Sequence, residues 1–135
     1  MIDGLNDCAA NGQLDAALDG LSARELTLLL NDWEFVARRD QWPPQFSQAQ
    51  LPWRVWLILG GRGAGKTRAG AEWVKGLALG RAQFCARPVA RIALIGETAA
   101  DVRDVMIEGV SGLLAAHDKN AGPRWESSRR RLLWD

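Results

Sequence analysis

The sequence predicts an α/β fold in which helices flank a parallel sheet, preceded by an N-terminal helical segment. Three features predict it. The runs VWLIL (55–59) and RIALIG (91–96) are short and apolar without alternation, as in strands buried on both faces of a parallel sheet. A helical pattern lies between them, and the connection is long enough for a right-handed crossover. Upstream, SARELTLLLNDWEFVARR carries apolar residues at helical spacing.

Bulk properties narrow the function classes. A chain of 135 residues holds one domain with a real core, and its 47% hydrophobic, 24% charged composition is that of a globular protein. Seventeen basic against sixteen acidic residues leave a net charge of +1, which argues against attachment to nucleic acid by bulk charge alone. No apolar run reaches the roughly eighteen residues of a membrane span, and MIDGLNDCAANG has no cationic start, so neither a membrane helix nor a secretory signal is expected. Cys8 and Cys85 form no CxxC pair and His117 stands alone, so no zinc site is expected. Both thiols are expected to be reduced and structural, as in a cytoplasm. The seven tryptophans are expected to anchor core and loops.

In chain order, QLDAAL suggests a short helix, and Ser22 with Glu25 forms a capping box ahead of a helix that should stop near Asp40. Leu26, Leu29, Leu30, Trp33 and Val36 or Ala37 make its buried face. The prolines of QWPPQF cannot continue it, and Trp42, Phe46 and Leu51 should anchor the loop 41–52. A helix from about Lys66 to Leu79 follows the first strand, with Ala69, Trp73, Val74 and Leu77 on one face and Gly80 as its stop. Thr98 with Asp101 caps another helix, which EGVSGLLAAH is expected to continue after a break at Gly109, and PRWESSRRRLLWD reads as a hairpin.

Chemistry concentrates in GGRGAGKT. Gly60, Gly65, Lys66 and Thr67 satisfy G-x-x-x-x-G-K-[ST], the phosphate-binding P-loop. Gly60, Gly61, Gly63 and Gly65, with Ala64 between, let consecutive N–H groups turn towards an anion. The loop ends at a helix N-terminus, where unpaired amides favour negative charge. Lys66 would reach the β- and γ-phosphates of ATP, and the Thr67 hydroxyl would ligate Mg2+. Arg62 is either a group for γ-phosphate charge or a solvated cation, and Gln41 is either an adenine-side amide or a surface glutamine. The fold class is then an incomplete P-loop NTPase.

Other parts of such a site are sparse. The one formal candidate for a strand ending in an acid is RLLWD, with Asp135, and the arginines before it favour a hairpin arm. Glu97 and Thr98 follow the second strand at its carboxyl end, where ligands of open α/β sheets sit, and Glu97 equally suits a helix N-terminus.

WLILGGRGAGKTRAGAEWV, the upstream RRDQWPP, and RIALIGETAADVRDVMIEGVSGLL followed by RWESSRRRLLW together resemble the N-terminal part of the ATPase domain of the large terminase subunit. That subunit is the DNA-packaging motor of tailed bacteriophages and gene transfer agents. The resemblance implies an ATPase and hydrolase in which Gln41 is an adenine-side Q motif, Gly60 to Thr67 form the Walker A loop, and Arg62 is its characteristic arginine. Lys66 and Arg62 would be catalytic, and ATP with Mg2+ the cofactors. It divides the chain into an N-terminal helical segment, 1–40, and the N-terminal part of a P-loop ATPase domain, 41–135. The family also carries a Walker B acid pair, a coupling motif and a nuclease domain, none of which this sequence contains.

Implied partners are double-stranded DNA, the portal protein, the small terminase subunit and the remainder of a large subunit, without a membrane. The implied location is the cytoplasm of a bacterial host, transiently at the procapsid portal. Two alternatives stand beside this: a non-enzymatic nucleotide-binding or assembly protein, and a small nucleotide kinase. An incomplete sheet would also leave an edge and apolar surface exposed, so self-association is expected unless a partner covers them.

Overall fold

The computed structural model describes residues 11–118 and 122–134. The chain divides after Arg39 into two units, residues 1–39 and 40–135. Cys8 and Asp135 lie outside the described residues, as does the side chain of Leu30.

The first unit holds α1 (Leu14–Asp19), α2 (Ala23–Asn31) and α3 (Trp33–Val36). The expected capping box opens α2: the Ser22 hydroxyl accepts from the Glu25 N–H (3.3 Å), and the Glu25 carboxylate accepts from the Ser22 N–H (2.9 Å). The Ser22 hydroxyl, which also donates to that carboxylate, and the backbone bond hold Glu25 below the usual carboxylate range. The single helix expected over this stretch is instead two. Asp32 leaves helical geometry (φ −76°, ψ 116°), and its carboxylate accepts from the Glu34 N–H at 2.9 Å to start α3. A short acidic side chain bonds the backbone better at a cap than inside a helix. On the expected face Leu29 and Trp33 are buried, while Val36 is exposed.

The second unit is organised by α4 (Lys66–Leu79). Gly80 stops it in left-handed geometry (φ 67°), donating to the Gly76 and Leu77 carbonyls, as its sequence position suggests. Ala69 and Val74 are buried, and Trp73 and Leu77 are half-buried. Trp73 meets Trp56 edge-on at 5.6 Å and Trp53 at 6.2 Å, so the 53–58 segment lies along the helix. Trp42 stacks on Phe84 at 5.4 Å and anchors the preceding loop. Phe46 and Leu51, the other expected anchors, are exposed. Cys85 is a half-buried free thiol directed at the Gly76 and Leu77 carbonyls.

Neither expected strand pairs with another among the described residues, which show helices and a two-stranded antiparallel sheet in place of the expected parallel one. Trp56 and Ile58 are half-buried while Val55, Leu57 and Leu59 are 83%, 72% and 82% exposed. Ile92 and Leu94 are half-buried, and Ala93 and Ile95 are exposed. That period of two is the pattern of extended backbone with one face covered. A strand is completed by a neighbour, and the one sheet among the described residues is a two-stranded antiparallel pair elsewhere.

That pair is β1 (Arg124–Glu126) and β2 (Arg131–Leu133), the expected hairpin, with Trp125 opposite Leu132. Before it, Thr98 and Asp101 form the expected reciprocal cap on α5 (Ala99–Asp101), which passes into a wider π turn over Val102–Ile107. Ala71 and Val74 of α4 make the core with Leu113 and Ala116, and Ile92, Leu94, Leu132 and Trp134 pack against it. No described helix is long and apolar enough to cross a membrane.

Candidate functional site

The glycine turn feeds directly into α4. Gly63 and Gly65 adopt φ of 80° and 79°, a region open to glycine at little cost. Gly65 is the N-cap of α4, with no side-chain cap, and no acidic residue occupies the first turn. The amides at this end therefore face outward with the positive end of the helix dipole.

Lys66 curls back over the turn. Its Nζ donates to the Gly60 carbonyl at 2.7 Å and to the Gly61 carbonyl at 2.8 Å, and Ala64 N–H closes the turn on Gly61 O at 3.3 Å. The ammonium and the helix terminus thus present like charge on one small surface. The sequence supplies no carboxylate between Asp40 and Glu72 to offset it. Such an arrangement suits a multiply charged oxyanion.

The other expected site residues divide in two groups. Gln41 is buried, and its side-chain nitrogen occupies the space beside Gly65 that a Cβ there would need, so the fold brings it to the loop. Thr67 is exposed on the first turn of α4. Arg62 is exposed on the loop and makes no ion pair among the described residues. Thr98 uses its hydroxyl in the α5 cap, accepting from Asp101 N–H at 3.1 Å and donating to the Asp101 carboxylate at 2.6 Å. Glu97 is exposed.

Sequence reasoning overlooks Glu72, a charged side chain only 1% exposed. Its carboxylate accepts from Arg68 at 2.7 and 3.0 Å and faces Lys75 at 3.4 Å. Lys75 also donates to the Ala116 carbonyl, tying the loop-bearing helix to the turn that precedes the hairpin. The four- and three-residue spacings of Arg68, Glu72 and Lys75 are the signal that finds it.

The basic run SSRRR is also less basic than it reads. Glu126 pairs with Arg124 (2.7 Å), Arg129 (3.8 Å) and Arg131 (2.6 Å). The Arg131 hydrogen bond, with the charges of Arg131 and Arg124, holds its carboxyl below the usual range.

Fold and loop together define a class: a globular protein whose glycine-rich turn opens a helix and carries a lysine at its rim. Within that class, the chain belongs to the large-subunit terminase family. The family described as "Terminase large subunit, T4likevirus-type, N-terminal" matches residues 57–135, more than half of the chain. Searches of curated proteins and of solved structures gave no match. The match begins at Leu57, so it contains the whole glycine loop and stops short of Gln41. Membership places the chain among DNA-packaging proteins.

Proposed function

We propose that this chain is the ATP-binding portion of a terminase large subunit, in which hydrolysis drives DNA into a procapsid. The observation that carries the proposal is the Lys66 ammonium held over the Gly60 and Gly61 carbonyls beside an uncapped helix N-terminus. In this reading the amides of Gly60 to Thr67 hold the phosphates, Lys66 contacts the β- and γ-phosphates, and Thr67 ligates Mg2+. Mg2+ supplies charge neutralisation at the phosphate oxygens. In the same reading Arg62, exposed on the loop, would face charge on the γ-phosphate, and Gln41 would read the adenine side. Double-stranded DNA, the portal and the small subunit are the partners, at the procapsid in the host cytoplasm. The sheet of a P-loop NTPase belongs to this proposal too, with residues 55–59 and 91–96 as two of its strands.

Titration of the chain with Mg·ATP tests it. Lys66→Ala should weaken binding by about tenfold or more, the loss of one charge-assisted contact of about 1.4 kcal/mol. Equal affinity in the two proteins would sink the proposal.

A second reading has its own support: Arg131–Leu133, the start of RLLWD and the formal candidate for a strand ending in an acid, is an arm of an antiparallel hairpin. On that reading the chain binds Mg·ATP without turnover and serves assembly. Steady phosphate release by the purified chain, abolished in Lys66→Ala, excludes it.

A further inference from the structure

The buried carboxylate of Glu72 stands between two cations that serve it unequally. Its Oε1 accepts from Arg68 Nε at 3.0 Å and from Arg68 Nη2 at 2.7 Å. Its Oε2 accepts no hydrogen bond among the described residues and faces the Lys75 ammonium at 3.4 Å. Lys75 donates instead to the Ala116 carbonyl, so it stands within reach of two alternative acceptors. Next to Ala116 is His117, whose Nδ1 lies 2.7 Å from Leu113 O and whose Nε2 accepts from the Trp134 indole at 3.1 Å. Trp134 follows β2 and packs against the core. These contacts, with one peptide link, lead from the first turn of α4 to the end of the hairpin.

We infer that filling of the glycine loop by a polyphosphate is signalled to the hairpin along this run, Arg68 exchanging Glu72 for the bound oxyanion. The inference rests on the Mg·ATP reading of the loop. Arg68 lies about 4.5 Å of helix rise past Gly65, within the length of its own side chain. A guanidinium pairs with phosphate oxygens as readily as with a carboxylate. Arg68 is a quarter exposed and free to leave, whereas Glu72 is 1% exposed and cannot follow it. An exposed carboxylate would replace a lost partner with water, and nothing further would move. A buried one has only Lys75, because an uncompensated charge is strongly disfavoured there. Lys75 then closes on Oε2 and gives up the Ala116 carbonyl, which loosens the 113–117 turn and the His117–Trp134 contact behind it.

His117 is the only histidine in the chain, so its ring resonances report without overlap. The test follows their pH titration by NMR in the full chain, with and without saturating Mg·ATP. Binding is measured separately, by displacement of a fluorescent nucleotide. Burial chiefly lowers the His117 pKa, Lys75 adds to that, and Glu72 opposes it. A carboxylate stripped of Arg68 should therefore move the titration midpoint upward. Magnesium tripolyphosphate should do the same, and adenosine should not. Lys75→Met keeps the apolar stem, so it should bind Mg·ATP within about twofold of the wild type and lose the shift. Arg68→Gln combined with Glu72→Gln removes both charges together and leaves no buried carboxylate unpaired. That double variant should bind about fivefold more weakly and show no shift. An unchanged midpoint in the nucleotide-bound wild type, a shift with adenosine, or a shift that survives in either variant overturns the inference and leaves the ATP reading standing. Absence of nucleotide binding overturns both, and the displacement assay shows that failure by itself.

Discussion

The side-chain nitrogen of Gln41 sits where any residue but glycine at position 65 would carry its Cβ. Twenty-four positions apart in sequence, the two residues meet at the start of α4. Gly65→Ala therefore suffers twice, from the left-handed φ of 79° and from the collision. A loss of about 1–3 kcal/mol in urea unfolding is expected. Gln41→Ala removes the collision but not the backbone strain, so the double variant should lose less than the sum of the singles. Strict additivity would show that the two side chains do not meet.

Glu72 presents a different kind of dependence. Its carboxylate is almost fully buried, and both of its cationic partners are on the same helix. Glu72→Gln keeps the shape and leaves Arg68 and Lys75 without their counter-charge. Because Arg68 is a quarter exposed, water screens part of the loss, and about 2 kcal/mol is expected. A shift below about 0.5 kcal/mol in the same assay would mark the triad as incidental.

His117 gives a pH dependence of definite sign. The Trp134 indole N–H donates to Nε2 at 3.1 Å, and Nδ1 lies 2.7 Å from the Leu113 carbonyl, so the proton resides on Nδ1. Burial chiefly, with nearby Lys75 and Arg81, lowers the imidazole pKa below 6.5, while the Leu113 carbonyl and Glu72 oppose this. The unfolded chain takes up a proton near 6.5, before the folded chain does. The contribution of His117 to stability is thus full above pH 6.5 and falls as pH drops through 6.5 towards the folded value. Urea midpoints from about pH 8 to about pH 5 should fall more steeply in the wild type than in His117→Gln. Parallel profiles would refute it.

The hairpin should bind polyanions weakly. Glu126 shares its charge among Arg124, Arg129 and Arg131, so the run presents less free positive charge than its sequence suggests. Glu126→Gln should tighten salt-sensitive binding of duplex DNA severalfold, whereas Arg129→Ala should change the wild type little. A strong loss in Arg129→Ala would show that the hairpin is already a DNA contact.

What can be read from the residues follows their range of action. The α4 span, its Gly80 stop, both capping boxes and the hairpin are legible because each rests on groups within a few residues of one another. Asp32 shows the limit: the apolar spacing runs through it, yet its carboxylate reaches Glu34 N–H and divides the helix. Within the site, the spacing of Gly60, Gly65, Lys66 and Thr67 marks the loop, while the burial of Gln41 against it is not legible locally.

By itself, then, the sequence determines α4 with its stop, the helix caps, the glycine turn and the lysine at its rim, since local sterics and one turn of hydrogen bonds suffice for them. Tertiary structure alone decides whether VWLIL and RIALIG become strands. Their pairing needs a neighbour distant in sequence, and in the described residues each covers one face and leaves the other open. It also decides that Gln41 reaches Gly65 and that Glu126 gathers the arginines, because both depend on chain packing in three dimensions.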